Sequence, residues 1–189
     1  MPDKLKNHET IGCCGIDCGL CPRYYTEGDS TCPGCGGPNF KTKHPACGCL
    51  TCCAVKNGLE VCAECNSYPC QRISSEKSRY DSFVTHKRML PNLDFIKDNG
   101  IAPFIDQQKV RMAILADFLN HYDDGRSKSF FCLSCALLPV DKLQEALKAA
   151  RDSSNSTDLK AKNKRLRDAL TTIAATAGVE LKLNKKANK

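Results

Sequence analysis

The sequence predicts a small α+β protein, in which a loop-rich, metal-stabilised, cysteine-rich N-terminal module is followed by a mostly α-helical part. Thirteen of the fifteen cysteines lie between Cys13 and Cys70, where Gly, Pro and polar residues dominate. After about residue 74 the composition shifts to Leu, Ile, Ala, Phe and Lys, and apolar residues recur at helical spacing. A chain of 189 residues has room for one ordinary domain, or for a small domain with an appendage.

These composition shifts predict three segments. Residues 1–75 form the cysteine-rich metal-binding module, and 76–152 form a helical continuation packed on it. Residues 153–189 form a basic C-terminal helix with a short strand and a frayed tail, and the polar run Ser153–Thr157 separates this segment from the preceding one.

The second and third segments contain the helix candidates. In Pro103–Tyr122 the side chains of Val110, Ile114 and Phe118 fall on one stripe, which is the spacing of a core-facing helix. The other candidates are Pro91–Asp98, which Gly100 should end, the apolar run Ser129–Leu138, a helix that begins at Asp141, and a final helix from Leu159 to Ala177. Alternating apolar residues at Val179, Leu181 and Leu183 predict the short strand.

The N-terminus, MPDKLKNHET, has no apolar run of a secretory signal, and no stretch is apolar enough to span a membrane. We therefore expect a cytoplasmic protein that does not enter the membrane. Since cytosolic thiols are kept reduced, dense cysteine there indicates metal or redox chemistry rather than a disulfide framework.

The formal charge of +7 is a weaker indication of nucleic-acid binding than its size suggests. Residues 1–80 carry a net charge of +1 and residues 81–189 carry +6. Metal binding deprotonates cysteine, so a Zn²⁺ ion held by four thiolates has a net charge of −2. The basic stretch Lys160–Arg167 has no interleaved aromatic residues, and nucleic acid is not expected as a partner.

Several cysteine pairs have the spacing of metal ligands. Two cysteines separated by two residues can turn back on one ion, so Cys32-x2-Cys35 and Cys62-x2-Cys65 are strong half-site patterns. Cys49-x3-Cys53 and Cys65-x4-Cys70 are looser but within ligand range. Because adjacent residues rarely bind one ion well, Cys13 and one member of the pair Cys52 and Cys53 are the best candidates for non-ligands.

The group Cys14-x3-Cys18-x2-Cys21 keeps an iron–sulfur cluster open as the alternative to zinc. Radical SAM enzymes hold a [4Fe–4S] cluster with this spacing, but the chain is too short for their barrel. The pair Cys21-Pro22 is similar to the Cys-Pro that ends ferredoxin ligand runs. Thiolate suits both metals, and the spread of the groups over loops with Gly and Pro favours closed four-cysteine zinc sites.

Two other features are interpreted as structural. Cys132-x2-Cys135 lies in the apolar run FFCLSCALL and is expected to pack in a core, with a ligand or redox pair as the alternative. His44, close to Cys47, could complete a Cys3His site but is expected to be a surface loop residue.

The order of these motifs resembles a cysteine-rich family catalogued as domain of unknown function 3795. CCGIDCGLCPRYYT, CPGC and CLTCCAVKNGLEVCAECNSYPCQRI carry the resemblance, which covers about residues 11–150. It implies metal binding but no reaction. It implies a shared set of ten cysteines: Cys14, Cys18, Cys21, Cys32, Cys35, Cys49, Cys53, Cys62, Cys65 and Cys70. A third site would need two more ligands, and Cys47 and Cys52 are nearest, whereas Cys13, Cys132 and Cys135 are left out.

The sequence therefore predicts a metal-binding protein with several structural zinc sites of the four-cysteine type. The alternative is an electron-transfer or redox protein with [4Fe–4S] clusters. No carboxylate pair, Ser/His/Asp set or phosphate loop stands out, which favours a role other than that of an enzyme. The helical part could bind a protein partner.

Overall fold

The computed structural model describes residues 4–75, 80–152 and 158–185. Within these ranges the chain is rich in helices. The helices are α1 (Phe40–Lys43), α2 (Gly48–Leu50), which continues as a π-helical segment (Thr51–Lys56), α3 (Gln71–Ser75), α4 (Met89–Asn99), α5 (Ile101–Tyr122), α6 (Lys128–Leu137), α7 (Val140–Asp152) and α8 (Leu159–Thr176). Short 3₁₀ turns occur at Cys18–Leu20, Gly28–Ser30 and Cys62–Glu64.

The chain divides into two compact units. The first consists of Met1–Gln107 with Leu183–Lys189, and the second consists of Gln108–Lys182. All thirteen clustered cysteines belong to the first unit, and Cys132 and Cys135 belong to the second. The division of the sequence at residues 75 and 152 stays a prediction.

The first unit has an apolar core in addition to its cysteines. Ile11, Val61 and Ile73 are fully buried, and α4 contributes Leu93 and Ile96 to the same cluster. The predicted helix Pro91–Asp98 is therefore present, with its start at Met89 and its end at Asn99. Gly100, with φ of +85°, follows directly, in a conformation that residues with a Cβ rarely adopt.

The second unit is a helical bundle, which confirms the helical character predicted for this part of the chain. Its fully buried side chains include Phe118, Phe131, Leu143 and Leu166, and α7 packs along α8. One residue of the apolar stripe predicted on α5 does not face the core, since Val110 is 44% exposed.

The β content is slight in the part of the chain that the structure describes. It consists of an isolated antiparallel bridge between Ile11 and Asp17. The segment 179–183, predicted as a strand, carries no regular element. Beyond it the main chain of Asn184 pairs with Asp81, whose N–H donates to the Asn184 carbonyl at 2.8 Å and whose carboxylate accepts the Asn184 N–H at 2.7 Å. Residues 153–157, predicted as a polar break, and 186–189 of the predicted frayed tail lie outside the described residues.

Candidate metal centre

Two cysteine pairs of the first unit form turns with the same backbone geometry. In each pair, Cys18/Cys21 and Cys62/Cys65, a 3₁₀ turn begins at the first cysteine, whose carbonyl accepts the N–H of the second, at 3.2 and 3.1 Å. The carbonyl of the second cysteine then accepts the N–H of a tyrosine three residues on, Tyr24 or Tyr68, at 2.9 Å in both turns. The shared pattern Cys-x2-Cys-x2-Tyr therefore describes two equivalent knuckles.

Helix α4 supports both knuckles. The buried side chain of Asn92 donates from Nδ2 to the carbonyl of Gly15 at 2.9 Å, three residues before Cys18. Two residues further along α4, the carboxylate of Asp94 accepts a hydrogen bond from the Tyr68 hydroxyl at 2.6 Å. The helix also contacts the turn Cys62–Glu64. One rigid element thus positions two loop segments that are distant in sequence.

The other predicted pairs are arranged differently. The main-chain N–H of Cys35 donates to the carbonyl of Glu9 at 2.8 Å. The N-terminal segment of the chain therefore packs against the Cys32-x2-Cys35 loop. Cys49 and Cys53 are 6% and 3% exposed, as expected for residues four apart on one helical face. Their neighbour Cys52 is exposed, and its Sγ lies 3.9 Å from Asn57 Nδ2. Of the adjacent pair, Cys53 is the better-placed ligand candidate.

The pKa of Cys18 shows how closely the N-terminal cysteines gather. Burial raises the pKa of this thiol well above its ordinary value, because a thiolate loses hydration there. Negative charge on neighbouring cysteines raises it further, and in order of effect these are Cys35, Cys14, Cys21 and Cys32. The structure therefore brings five of the predicted ligands into one electrostatic neighbourhood.

A second group of thiols is joined by hydrogen bonds. Cys35 donates to Cys13 and Cys13 donates to Cys53. The Cys53 thiol donates to the carbonyl of Leu59 at 3.4 Å. Cys13 is 1% exposed. Acceptance from Cys35 lowers its pKa, but donation to Cys53 and burial outweigh this and raise the pKa to about 12. The Cys13 thiol is therefore protonated at neutral pH.

Cys47 and Cys49 are hydrogen-bonded to each other. The Cys49 thiol donates to Cys47, which lowers the pKa of Cys47 to about 5 and raises that of Cys49. Negative charge on Cys14 and on Cys62 also raises the pKa of Cys49. His44, as predicted, is an exposed loop residue, and its ring stacks on Phe40 with centroids 4.5 Å apart.

The remaining predicted ligands, Cys65 and Cys70, are partly buried against the apolar cluster of the first unit. Cysteines 13 to 70 are all present as thiols. Among the residues that the structure describes, no three His, Cys, Asp or Glu side chains are grouped as a complete metal site. The thiols therefore lie in the same unit, but no three of them surround a common point in the described part of the chain.

Sequence reasoning missed two features of this region. The Cys-x2-Cys-x2-Tyr pattern is visible in the sequence and could have identified the two knuckles as a pair. Lys6 is 5% exposed, although an isolated lysine near a chain end carries no signal of burial.

The second unit contains Cys132 and Cys135, which the sequence predicts to pack in a core. Cys132 and Cys135 are 1% and 0% exposed, which confirms their burial. On the basic helix α8, Arg167 lies over the Phe130 ring at 4.5 Å, and Lys164 pairs with Asp168 at 2.9 Å. These two cations therefore have intramolecular partners.

Comparison of the chain with protein-family models, with curated proteins and with solved structures gives no match. The described helices contain none that is long and apolar enough to cross a membrane.

Proposed function

We propose that the first unit is a metal-binding module in which clustered thiolates hold structural zinc ions in sites of the four-cysteine type. The observation that carries the proposal is the gathering of thirteen cysteines, most of them buried or partly buried, within one unit. Burying many thiols side by side has no evident use without a cation, whereas Zn²⁺ binding converts them into ligands. The ligand candidates are the twelve predicted from the sequence, with Cys53 preferred to its neighbour Cys52.

The donor chemistry fits zinc and, in second place, a cluster. Most of the donors are sulfur atoms on short loops and 3₁₀ turns, which is the setting of zinc knuckles, whereas Cys49, Cys52 and Cys53 lie on α2 and its π-helical continuation. The backbone N–H of Cys13 points at Cys35 Sγ at 3.5 Å, and such contacts stabilise a thiolate in zinc and iron–sulfur sites alike. The alternative function is therefore that of a [4Fe–4S] electron-transfer protein. We also propose that the chain is a member of the family of domain of unknown function 3795.

Zinc in this module would act on folding rather than on a substrate. Structural zinc contributes its binding free energy to the folded state, because the unfolded chain offers no preformed site. The knuckles, α4 and the N-terminal segment would then form one metal-stabilised scaffold, and a protein partner for the helical part stays a prediction.

Elemental analysis decides between the two metals. The full chain is expressed with zinc and iron both supplied, purified without air, and assayed for zinc, iron and acid-labile sulfide together with a UV–visible spectrum. We expect a colourless protein with two or three equivalents of zinc, as ten to twelve ligands allow. A brown protein with iron and sulfide in equal amounts would establish the alternative, and a metal-free, folded protein would refute both.

A further inference from the structure

We propose that the second unit binds a small ligand with two or three linked phosphate groups, in a cleft between the α5–α6 loop and the first half of α8. The cleft has a volume of about 440 Å³, which is within the range of small-molecule sites. All its described lining residues belong to the second unit, so this inference goes beyond the proposed metal binding and does not depend on it.

The lining of the cleft has a surplus of positive charge. Four cations and two carboxylates give it a net charge of +2, and these residues are Arg126, Lys160, Lys164, Arg167, Asp124 and Asp168. Arg126 and Lys160 are exposed and form no ion pair with another described residue. A concave surface with an excess of one sign of charge concentrates ions of the other sign. The cleft therefore favours an anionic ligand.

Three of the cations lie along one face of α8. Lys160, Lys164 and Arg167 follow one another at intervals of four and three residues, which is the spacing of neighbours on a helix surface. Arg167 is held in place, because its guanidinium lies over the Phe130 ring at 4.5 Å and its Nη1 donates to the Ser127 hydroxyl at 3.1 Å. A guanidinium has several N–H donors in a rigid fork, so it can hold a phosphate oxygen as well.

Buried hydrogen bonds join α8 to the end of α5 and to the loop before α6. Asn163, a lining residue that is 5% exposed, donates from Nδ2 to the Tyr122 carbonyl at 2.7 Å, and its Oδ1 accepts the Ser127 hydroxyl at 3.1 Å. In the loop, the Asp124 carboxylate accepts the main-chain N–H of Arg126 at 3.1 Å. The cations therefore stand on backbone that is already fixed, which lowers the cost of ordering them around a ligand.

The side chains around the cleft favour linked phosphates over the bases of a nucleic acid. None of the described lining residues is aromatic, whereas proteins that bind single strands stack the bases on aromatic rings. The ring of Phe130, close by, is covered by Arg167. The ion pair between Lys164 and Asp168 is exposed and therefore weak, so a phosphate oxygen can replace the carboxylate. A chain of phosphates can contact several of the cations at once, which a single phosphate cannot.

Titration of the ¹⁵N-labelled full chain with inorganic pyrophosphate and with tripolyphosphate, at constant ionic strength, tests the site. We expect saturable shifts of the amide signals of residues 124–127 and 160–167, and unchanged signals in residues 13–70. Sodium sulfate controls for unspecific charge screening, and oligothymidylate controls for nucleic acid. Absence of saturable shifts with both polyphosphates, or equal shifts with sulfate, would overturn the inference. Tighter binding of the oligonucleotide than of tripolyphosphate would refute a small ligand.

Variants that remove one charge locate the ligand. Arg126→Gln and Lys160→Gln should each raise the dissociation constant of tripolyphosphate about three- to tenfold, because each removes a charge-assisted contact at the surface. Both side chains are exposed, so neither change disturbs a core. Lys148→Gln, at an exposed lysine of α7 outside the cleft, alters the net charge equally and should leave the dissociation constant within about twofold of the wild-type value, since salt screens distant charges. Equal losses of affinity for Lys148→Gln and Lys160→Gln would refute the cleft as the binding site.

Discussion

Gly15 and Gly100 have the same φ, +85°, but different surroundings. A Cβ at position 100 would meet no atom within 4 Å, whereas a Cβ at position 15 would collide with the carbonyl of Met89 and with the side chain of Leu93 on α4. The conformation of Gly15 and its close approach to α4 both require glycine. This contact brings the segment before Cys18 against the helix that supports the knuckles.

Substitutions at Gly15 and Gly100 therefore separate the cost of the backbone conformation from the cost of a steric collision. Gly100→Ala should lower the free energy of unfolding by about 1–3 kcal/mol, the cost of holding a residue with a Cβ in this sparsely populated conformation. Gly15→Ala should lower it by a further ~1–3 kcal/mol, because the main chain of α4 has to move. Urea titration followed by far-UV circular dichroism measures both. Equal losses for the two variants would show that α4 does not press on Gly15.

At the same scale, sequence reasoning identified residue types better than residue roles. The cysteine spacings predicted where ligand candidates cluster, and the burial of Cys132 and Cys135 followed from their apolar neighbours. The burial of Lys6 could not be predicted, since its ammonium group donates to the carbonyl of Glu60, 54 positions away. No local pattern encodes such contacts.

At the scale of elements, helix α8 begins with a cap that the sequence also carries. Asp158 has an extended conformation, and its carboxylate accepts the N–H groups of Lys160 and Ala161, at 3.3 and 3.1 Å. These are two of the donors that a helix leaves unsatisfied at its first turn. The helix continues to Thr176, and Gly178 follows it with φ of +64°.

Removal of this cap should destabilise the second unit. Asp158→Ala is expected to cost about 0.5–2 kcal/mol, the range for N-cap substitutions. Asp168→Ala removes a carboxylate from the same helix but only an exposed ion pair with Lys164, worth at most ~0.5 kcal/mol. Thermal unfolding monitored by circular dichroism compares the two. A loss for Asp158→Ala no greater than that for Asp168→Ala would contradict the capping role.

Helices were the most predictable elements, because their signals are local. Gly100 ended α4 as expected, and Pro103 lies in the first turn of α5, where its missing N–H has no cost. The strand predicted from Val179, Leu181 and Leu183 did not form, since alternation alone supplies no partner strand to receive its hydrogen bonds. The support that α4 gives to both knuckles was also beyond prediction, because Asn92 and Asp94 look like ordinary surface polar residues.

For the whole molecule, the two units should respond differently to loss of metal. The apolar core of the second unit consists of side chains such as Phe118, Leu143 and Leu166, and needs no thiolate. The first unit combines an apolar cluster, in which Val61 and Leu93 are fully buried, and thirteen cysteines. If metal binding contributes to its folding, the stability of this unit depends on the concentration of free metal.

Chelation of the full chain under reducing conditions should therefore unfold the first unit selectively. We expect amide hydrogen exchange in residues 13–70 to accelerate at least tenfold after a strong zinc chelator is added, because each loss of about 1.4 kcal/mol in local stability is a factor of ten in exchange. Exchange in α7 and α8 should change little. Added Zn²⁺ should restore the original pattern, and Mg²⁺, which prefers oxygen ligands, should not. If exchange in residues 13–70 is the same before and after chelation, the apolar cluster and α4 alone hold the first unit together, and the thiols have no structural role.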